Sequence, residues 1–591
     1  MDGIDVYGPN PLPSWDDLRA AGITFIIHKC TESNYQPDAQ FPSRWTDIRA
    51  NGIIRGAYHY YRHTDADSGD VQADLMVAAV RRLGPGDLPP AMDFENSALG
   101  PAQHEPATAA DWRQELEAFL DTVETKLGRS PIIYTSASAW GHLSGKGDYA
   151  ANDVAHFGDY PLWVKSYTPR VFNGVDLDNP PNPLTPAFRN AATAAGDARY
   201  NVRETHNPLP ANIPGPWVGR SWFIWQYTPF TPAAMMNSHG FAAYDIDFDV
   251  THGGIHVLRA MADLGRTAPH RVGNLSFIAY ANPDGSLHLL KFDTSAWQEE
   301  DLSTISDLPL AAGDPAAICG GNEQVIVYRA TDDHIYALAR PVADGAWSLS
   351  DITGGVAIGD PFVTVLGNDV HVVYWDEHDN QVHMTLTGGT WSPENLKDST
   401  GKVTSGSAVA YVHEGALHIV SRAGDDGHLI DLTAPAGSAA PTDLTANSVG
   451  AGAIPAATYR PAAYAASGQA PRIIFRALRG EIWQIERDSL NATNLTSATN
   501  APVSIGNPSA VVASMTHIVY RALDGAINEI FDNAGTWATR VVCPDAASDP
   551  TAYVDEAGNA AVSFRAINGA VQIARFDGSW NCVDAAPAPN P

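Results

Sequence analysis

The apolar pattern along the chain changes period once, near residue 268. Before that point short continuous apolar runs alternate with helical periodicity. Ile23-Thr24-Phe25-Ile26-Ile27, Gly56-Ala57-Tyr58-His59-Tyr60 and Pro131-Ile132-Ile133-Tyr134 read as buried strands. The clearest helix carries Trp112, Leu116, Phe119, Leu120 and Val123 on one face, with Gly128 just past its end. Strands alternating with helices predict a parallel sheet, closed into a modified β/α (TIM-like) barrel over residues 1–268. Residues 170–220 are rich in Pro, Asn, Ala and Gly, show little periodicity, and read as a long insertion or lid.

Beyond residue 268 a repeat replaces the helical period. Tyr328-Arg329-Ala330, Ser421-Arg422-Ala423, Phe475-Arg476-Ala477, Tyr520-Arg521-Ala522 and Phe564-Arg565-Ala566 each end a β-branched run, and Tyr280-Ala281-Asn282 and Tyr374-Trp375-Asp376 hold the same place. Their central positions are spaced by 48, 46, 47, 54, 45 and 44 residues. Tight-turn pairs follow, among them Asp284-Gly285, Asp426-Gly427, Asp524-Gly525 and Asn568-Gly569. Gly313-Asp314-Pro315, Gly359-Asp360-Pro361, Gly506-Asn507-Pro508 and Ser548-Asp549-Pro550 precede the next copy. Seven copies of several short strands predict an all-β, seven-bladed propeller over residues 269–591. The protein is therefore expected to be multidomain, a barrel followed by a propeller.

Composition narrows the function. The 591 residues include 36 Lys and Arg against 67 Asp and Glu, a formal net charge of −31, of which −11 falls in residues 1–268 and −20 in the remainder. Nucleic-acid binding needs a basic face and is excluded as an expectation. No apolar run is long enough for a membrane-spanning helix. The opening Met-Asp-Gly-Ile-Asp lacks the basic and apolar segments of a secretory signal. Four cysteines are too few for a disulfide framework. Cys543 and Cys582 hold matching places in successive repeats, so they are expected to lie too far apart to bridge.

The candidate chemistry lies in carboxylates at strand ends. Asp93 and Glu95 follow the apolar Leu88-Pro89-Pro90-Ala91-Met92 and project to one side of an extended segment. Asp5 ends the first strand, and Asp245, Asp247 and Asp249 are placed at the end of the last. Closing a barrel sets those two strands side by side, where catalytic groups gather at the mouth. Crowded carboxylates cannot all ionise, so one is held as an acid, which is the equipment of a glycosidase. His59 reads as a core residue, and Lys29 with Glu32 as a structural ion pair.

These residues belong to a longer series. Gly3-Ile4-Asp5-Val6, Lys29-Cys30-Thr31-Glu32-Ser33, Gly56-Ala57-Tyr58-His59-Tyr60, Met92-Asp93-Phe94-Glu95, Leu162-Trp163-Val164, Trp225-Gln226-Tyr227 and the Asp247 segment occur in order. In this the chain resembles the family-25 glycoside hydrolases, the Chalaropsis-type muramidases, across residues 1–262. The resemblance implies cleavage of the β-1,4 bond between N-acetylmuramic acid and N-acetylglucosamine in peptidoglycan, with no metal or other cofactor. It implies Glu95 as general acid/base and Asp93 as the group that assists the substrate's 2-acetamido group or stabilises charge at the anomeric carbon. Asp5 and Asp247 complete the acidic cluster, with Asp245 a competitor for the latter. Tyr58, Tyr60, Tyr134, Trp163 and Trp225 stand at or near strand ends, where a ring stacks on a sugar or fills the core. The long 170–220 segment and Ser33, in place of the family's glycine, depart from the pattern.

The propeller resembles the lectin-type propellers, with Ser295-Ala296-Trp297, Gly345-Ala346-Trp347, Gly389-Thr390-Trp391, Gly535-Thr536-Trp537 and Gly578-Ser579-Trp580 as its repeated element. That implies glycans as a second class of partner, although interblade packing is the simplest explanation of a repeated Trp. The reading from sequence is a secreted or extracellular wall hydrolase. Its rivals are a non-catalytic glycan-binding protein and a toxin or effector whose propeller binds a surface receptor.

Overall fold

The computed structural model describes the chain except residues 35–36, 63–67, 96–108, 145–153, 168–170, 178–180, 182–184, 204–207, 209–212, 242–245, 294–295, 343–344, 354–355, 397–402, 436–439, 451–453, 467, 534 and 587–591. Two compact units divide it. One comprises Met1–Arg81, Asp87–Glu124 and Arg129–Leu258; the other comprises Arg82–Gly86, Thr125–Gly128 and Arg259–Pro591.

The first unit is built on a closed barrel. Its early strands are β1 (Asp2–Val6), β2 (Ile23–Glu32), β3 (Ile54–Tyr60), β4 (Ala91–Asp93), β5 (Ile132–Thr135) and β6 (Leu162–Lys165), and a small hairpin, β7 (Val171–Phe172) and β8 (Val175–Asp176), follows. The later strands are β9 (Ile224–Thr228) and β10 (Asp247–Thr251). The order around the barrel is β1-β10-β9-β6-β5-β4-β3-β2. Helices α1 (Trp15–Ala20), α2 (Phe41–Ala50), α3 (Gly69–Val80), α4 (Ala109–Leu127) and α5 (Ala137–Ser144) connect the early strands. The apolar face of α4 is buried along Trp112, Leu116, Phe119, Leu120 and Val123, and Gly128 takes a left-handed φ of 74° after its last residue.

The barrel closes, but its sheet is mixed rather than the parallel sheet expected from sequence. Strand β10 runs antiparallel to both β1 and β9, while the other neighbouring pairs are parallel. A parallel return requires a crossover long enough to regain the far end of the barrel. The helix between β9 and β10 is α7 (Ala233–His239). Its seven residues rise about 10 Å, and the chain re-enters the barrel antiparallel to β9.

The 170–220 segment also differs from expectation. It contains α6 (Pro186–Val202), a 17-residue helix in the parallel crossover from β6 to β9. Thr185 caps it, accepting from Phe188 N. Its buried face is Ala191, Ala192 and Ala195 around Phe188, packed on Leu177 and Phe230. Small alanines raise little periodic signal, which hid the helix.

The second unit contains seven four-stranded antiparallel sheets, at residues 268–301, 316–351, 362–395, 404–443, 457–494, 509–543 and 551–586. Ile278, Tyr280 and Leu290 of the first sheet share a cluster with Val571, Ile573 and Ala586 of the last, which closes the ring of blades. The Gly-Asp-Pro repeat acts as a staple between blades. Asp314 accepts from the backbone N–H groups of Gly265 and Arg266 at 2.7 and 2.9 Å, Asp360 from Asp314 N at 2.9 Å, and Asp549 from Asn507 N at 2.8 Å. A Cβ at Gly313 would overlap the Asp360 carboxylate, so the preceding glycine is part of the device. The repeated arginines are buried: Arg329 pairs with Asp360 at 3.4 Å and Arg521 with Asp549 at 3.2 Å. Trp297, Trp347, Trp391, Trp537 and Trp580 each pack against a cluster shared with the preceding blade.

One expectation about the cysteines is overturned. Cys543 and Cys582 form a disulfide, their Cα atoms 6.4 Å apart, while Cys30 and Cys319 are free. Cys543 is the last residue of its outer strand and Cys582 the third of the next blade's outer strand (Thr536–Cys543 and Trp580–Ala586). That offset brings the two outer strands within bridging distance.

Candidate active site

The antiparallel β10 presents its first residue, not its last, at the mouth formed by the C-terminal ends of the parallel strands. Asp247 consequently pairs in register with Asp5 of β1. Asp93 closes β4 and Glu95 follows two residues on, while Lys165 closes β6 opposite Gln226 of β9. Asp93 is 7% exposed, whereas the Glu95 side chain is 22% exposed and within reach of a ligand.

Hydrogen bonds link the acids across four strands. Gln226 Nε2 donates to Asp5 Oδ2 at 2.6 Å, and Gln226 Oε1 accepts from Tyr134 Oη at 2.7 Å and from Tyr167 Oη. Tyr134 Oη also lies 3.2 Å from Glu95 Oε1, which accepts from Lys165 Nζ at 2.5 Å. Beneath them Trp163 Nε1 donates to Asp249 Oδ1 at 2.8 Å. Among the described residues Asp93 Oδ1 is buried without a hydrogen-bond partner.

The electrostatics follow from this crowding. Burial pushes Asp5, Asp93, Asp247 and Asp249 well above the usual carboxylate range. Neighbouring negative charge adds to it, from Asp249 on Asp5, Glu95 on Asp93, Asp5 on Asp247 and Asp247 on Asp249. Burial alone would lower Lys165, but the Glu95 carboxylate beside it leaves its ammonium above the ordinary value. The phenols of Tyr58 and Tyr134 are likewise raised, by burial first, and stay neutral donors. A partly exposed carboxyl beside buried ones whose proton affinity is raised is suited to general acid/base chemistry.

The remaining candidates separate by depth. Trp163 is 1% exposed and packs edge-on against Tyr134 and Tyr58, with ring centroids 4.5 and 6.2 Å away. These three form the floor under the acids. Tyr60 stands between Lys29 and Arg62, 5.9 and 4.9 Å from its ring centre. Trp225 alternates to the face opposite Gln226, packs on Trp222 and Tyr227, and donates to Ser166 O at 3.0 Å. Asp245 lies outside the described residues. His59 is buried between Thr31 and Gln72, and burial lowers it to about 4. Lys29 and Glu32 pair at 2.9 Å. Among the described residues no group of three or more His, Cys, Asp or Glu side chains is arranged to hold a metal ion.

Sequence reasoning left Lys165, Gln226 and Tyr167 without a role. Lys165 had a readable signal, a charge ending an apolar strand just where Asp93 ends another. Gln226 and Tyr167 carried none, because their part depends on which strands become neighbours.

Comparison with known proteins bears on this site. Glycosyl hydrolases family 25 matches residues 4–175. YegX of Escherichia coli is 32% identical over 175 residues, 29% of this chain and 57% of that protein. Lysozyme M1 of Streptomyces globisporus is 31% identical over 178 residues, 28% of this chain and 60% of that protein. N,O-diacetylmuramidase of Chalaropsis sp is 30% identical over 158 residues, 26% of this chain and 74% of that protein. The chain thus spans little more than half the length of the first of these relatives.

Proposed function

The chain belongs to glycosyl hydrolase family 25, and from that premise we propose that it is a muramidase, cleaving the β-1,4 bond between N-acetylmuramic acid and N-acetylglucosamine in peptidoglycan. The observation that supports this most is the position of Glu95. It is the partly exposed carboxyl beside the buried Asp93, tied through Tyr134 and Gln226 to Asp5. In the proposed reaction Glu95 gives a proton to the glycosidic oxygen as the bond to the anomeric carbon breaks. It then takes a proton from the water that attacks that carbon. Asp93 Oδ1, buried and unpartnered among the described residues, is an acceptor for the N–H of the substrate's 2-acetamido group. Asp5 and Asp247 complete the acidic wall that favours positive charge at the anomeric carbon.

In this reading the protein acts outside the cell on bacterial walls, and the propeller retains it there by binding glycans. Seven similar blades on one ring would provide several weak sites and therefore avidity. Anionic wall polymers repel a protein of charge −31, so retention must come from discrete sugar sites rather than bulk electrostatics.

Clearing of a suspension of purified walls tests the enzymatic part. Glu95→Gln is expected to lower the rate at least about 100-fold with an unchanged circular dichroism spectrum. A variant near wild-type activity would remove Glu95 from this role. An inert wild-type protein would favour the non-catalytic glycan-binding reading. The same Glu95→Gln protein on a glycan array tests the propeller, and absence of binding to any sugar would end its assignment as a lectin.

A further inference from the structure

The proposed acid is already engaged. Lys165 Nζ lies 2.5 Å from Glu95 Oε1, and this ammonium is itself largely covered, with 32% of the side chain exposed. The backbone around it is fixed on both sides. Ser166 N donates to Gln226 O at 3.2 Å, Ser166 O accepts from Trp225 Nε1 at 3.0 Å, and Lys165 stands opposite Gln226 in the β6–β9 register. The ammonium also lies 5.3 Å from the centre of the Tyr167 ring. Lys165 is therefore held against Glu95 rather than swinging freely beside it.

We propose that Lys165 is a positioning residue whose ion pair with Glu95 sets the pH above which the enzyme loses its catalytic proton. This rests on the muramidase reading given above. The carboxyls around Glu95 work in the opposite sense. Asp93 of β4, Asp247 of β10 and Asp5 of β1 are acids, and the phenols of Tyr58 of β3, Tyr134 of β5 and Tyr167 carry no positive charge. Lys29 of β2 is a second cation, but it is paired with Glu32 at 2.9 Å. An opposite charge at hydrogen-bond distance favours the ionised carboxylate, and removing it favours the protonated one. Protonating Glu95 breaks its ion pair with Lys165, so the active form requires a more acidic solution than the same site would without the lysine.

The test is the pH dependence of kcat/KM on a soluble peptidoglycan fragment, with the full chain and its Lys165→Met, Lys165→Gln and Lys165→Arg variants. The alkaline limb should move up by about one pH unit or more in the Met and Gln variants and stay at its wild-type position in the Arg variant. Coincident limbs in wild type and Lys165→Met, or an equal shift in Lys165→Arg, would overturn the proposal. The second readout is independent of turnover: the titration of the Glu95 side-chain carbon by 13C NMR on glutamate-labelled protein, assigned by its loss in Glu95→Gln. It should also titrate at higher pH in Lys165→Met and Lys165→Gln. If walls are not hydrolysed but this resonance moves, the muramidase reading fails and the role of Lys165 stands. If walls are hydrolysed and the resonance does not move, the role of Lys165 falls alone.

Discussion

Asp249 is wholly buried, held by the Trp163 indole and in contact with the Asp5 carboxyl. Its pKa is raised in the folded protein, by burial first, above the value near 3.9 expected of an unfolded chain. The folded state therefore holds a proton that the unfolded state releases. The stabilisation this brings is complete below about pH 4 and is lost as pH rises through the raised folded value. Asp5, Asp93 and Asp247 act in the same direction. The barrel should accordingly melt at a lower temperature at pH 8 than at pH 5. Asp249→Asn, which still offers Trp163 an oxygen, should lose less over that interval; melting curves at both pH values check this, and equal losses would contradict it. At this scale the sequence was informative where an acid pair stood at i and i+2 after an apolar run, as Asp93 and Glu95 do. It was silent where a role depends on neighbours across the barrel. Gln226 joins Asp5 to Tyr134 only because β9 lies between β10 and β6.

Elements repeated in the chain were read more fully than elements that occur once. Seven copies of a Tyr-Arg-Ala position indicated seven blades because each copy ends the second strand of a four-stranded sheet. The Gly-Asp-Pro copies now have a physical role, carboxylates that accept backbone N–H groups of a neighbouring blade. Asp360 is fully buried, receives Asp314 N and faces Arg329. Asp360→Ala should leave that guanidinium partly uncompensated and cost the propeller about 3 to 5 kcal/mol. Scanning calorimetry should show one unfolding transition shifted down; two unmoved transitions would contradict the staple. The single elements were harder. The direction of β10 is a matter of pairing between distant strands, the helix α6 buries alanines that give little pattern, and the Cys543–Cys582 bridge depends on an offset between two outer strands.

At the scale of the whole molecule, a mixed eight-stranded barrel and a seven-bladed propeller account for the described chain, and among the described residues no helix is long and apolar enough to cross a membrane. The net charge of −31 opposes bulk electrostatic attraction to anionic wall polymers, while the chemistry is proposed to reside in the barrel alone. The identity of the new chain end formed from purified peptidoglycan tests that claim most directly. After digestion, borohydride reduction and mass spectrometry, the account predicts reduced N-acetylmuramic acid at the new termini. Reduced N-acetylglucosamine there, or no new reducing ends, would contradict it.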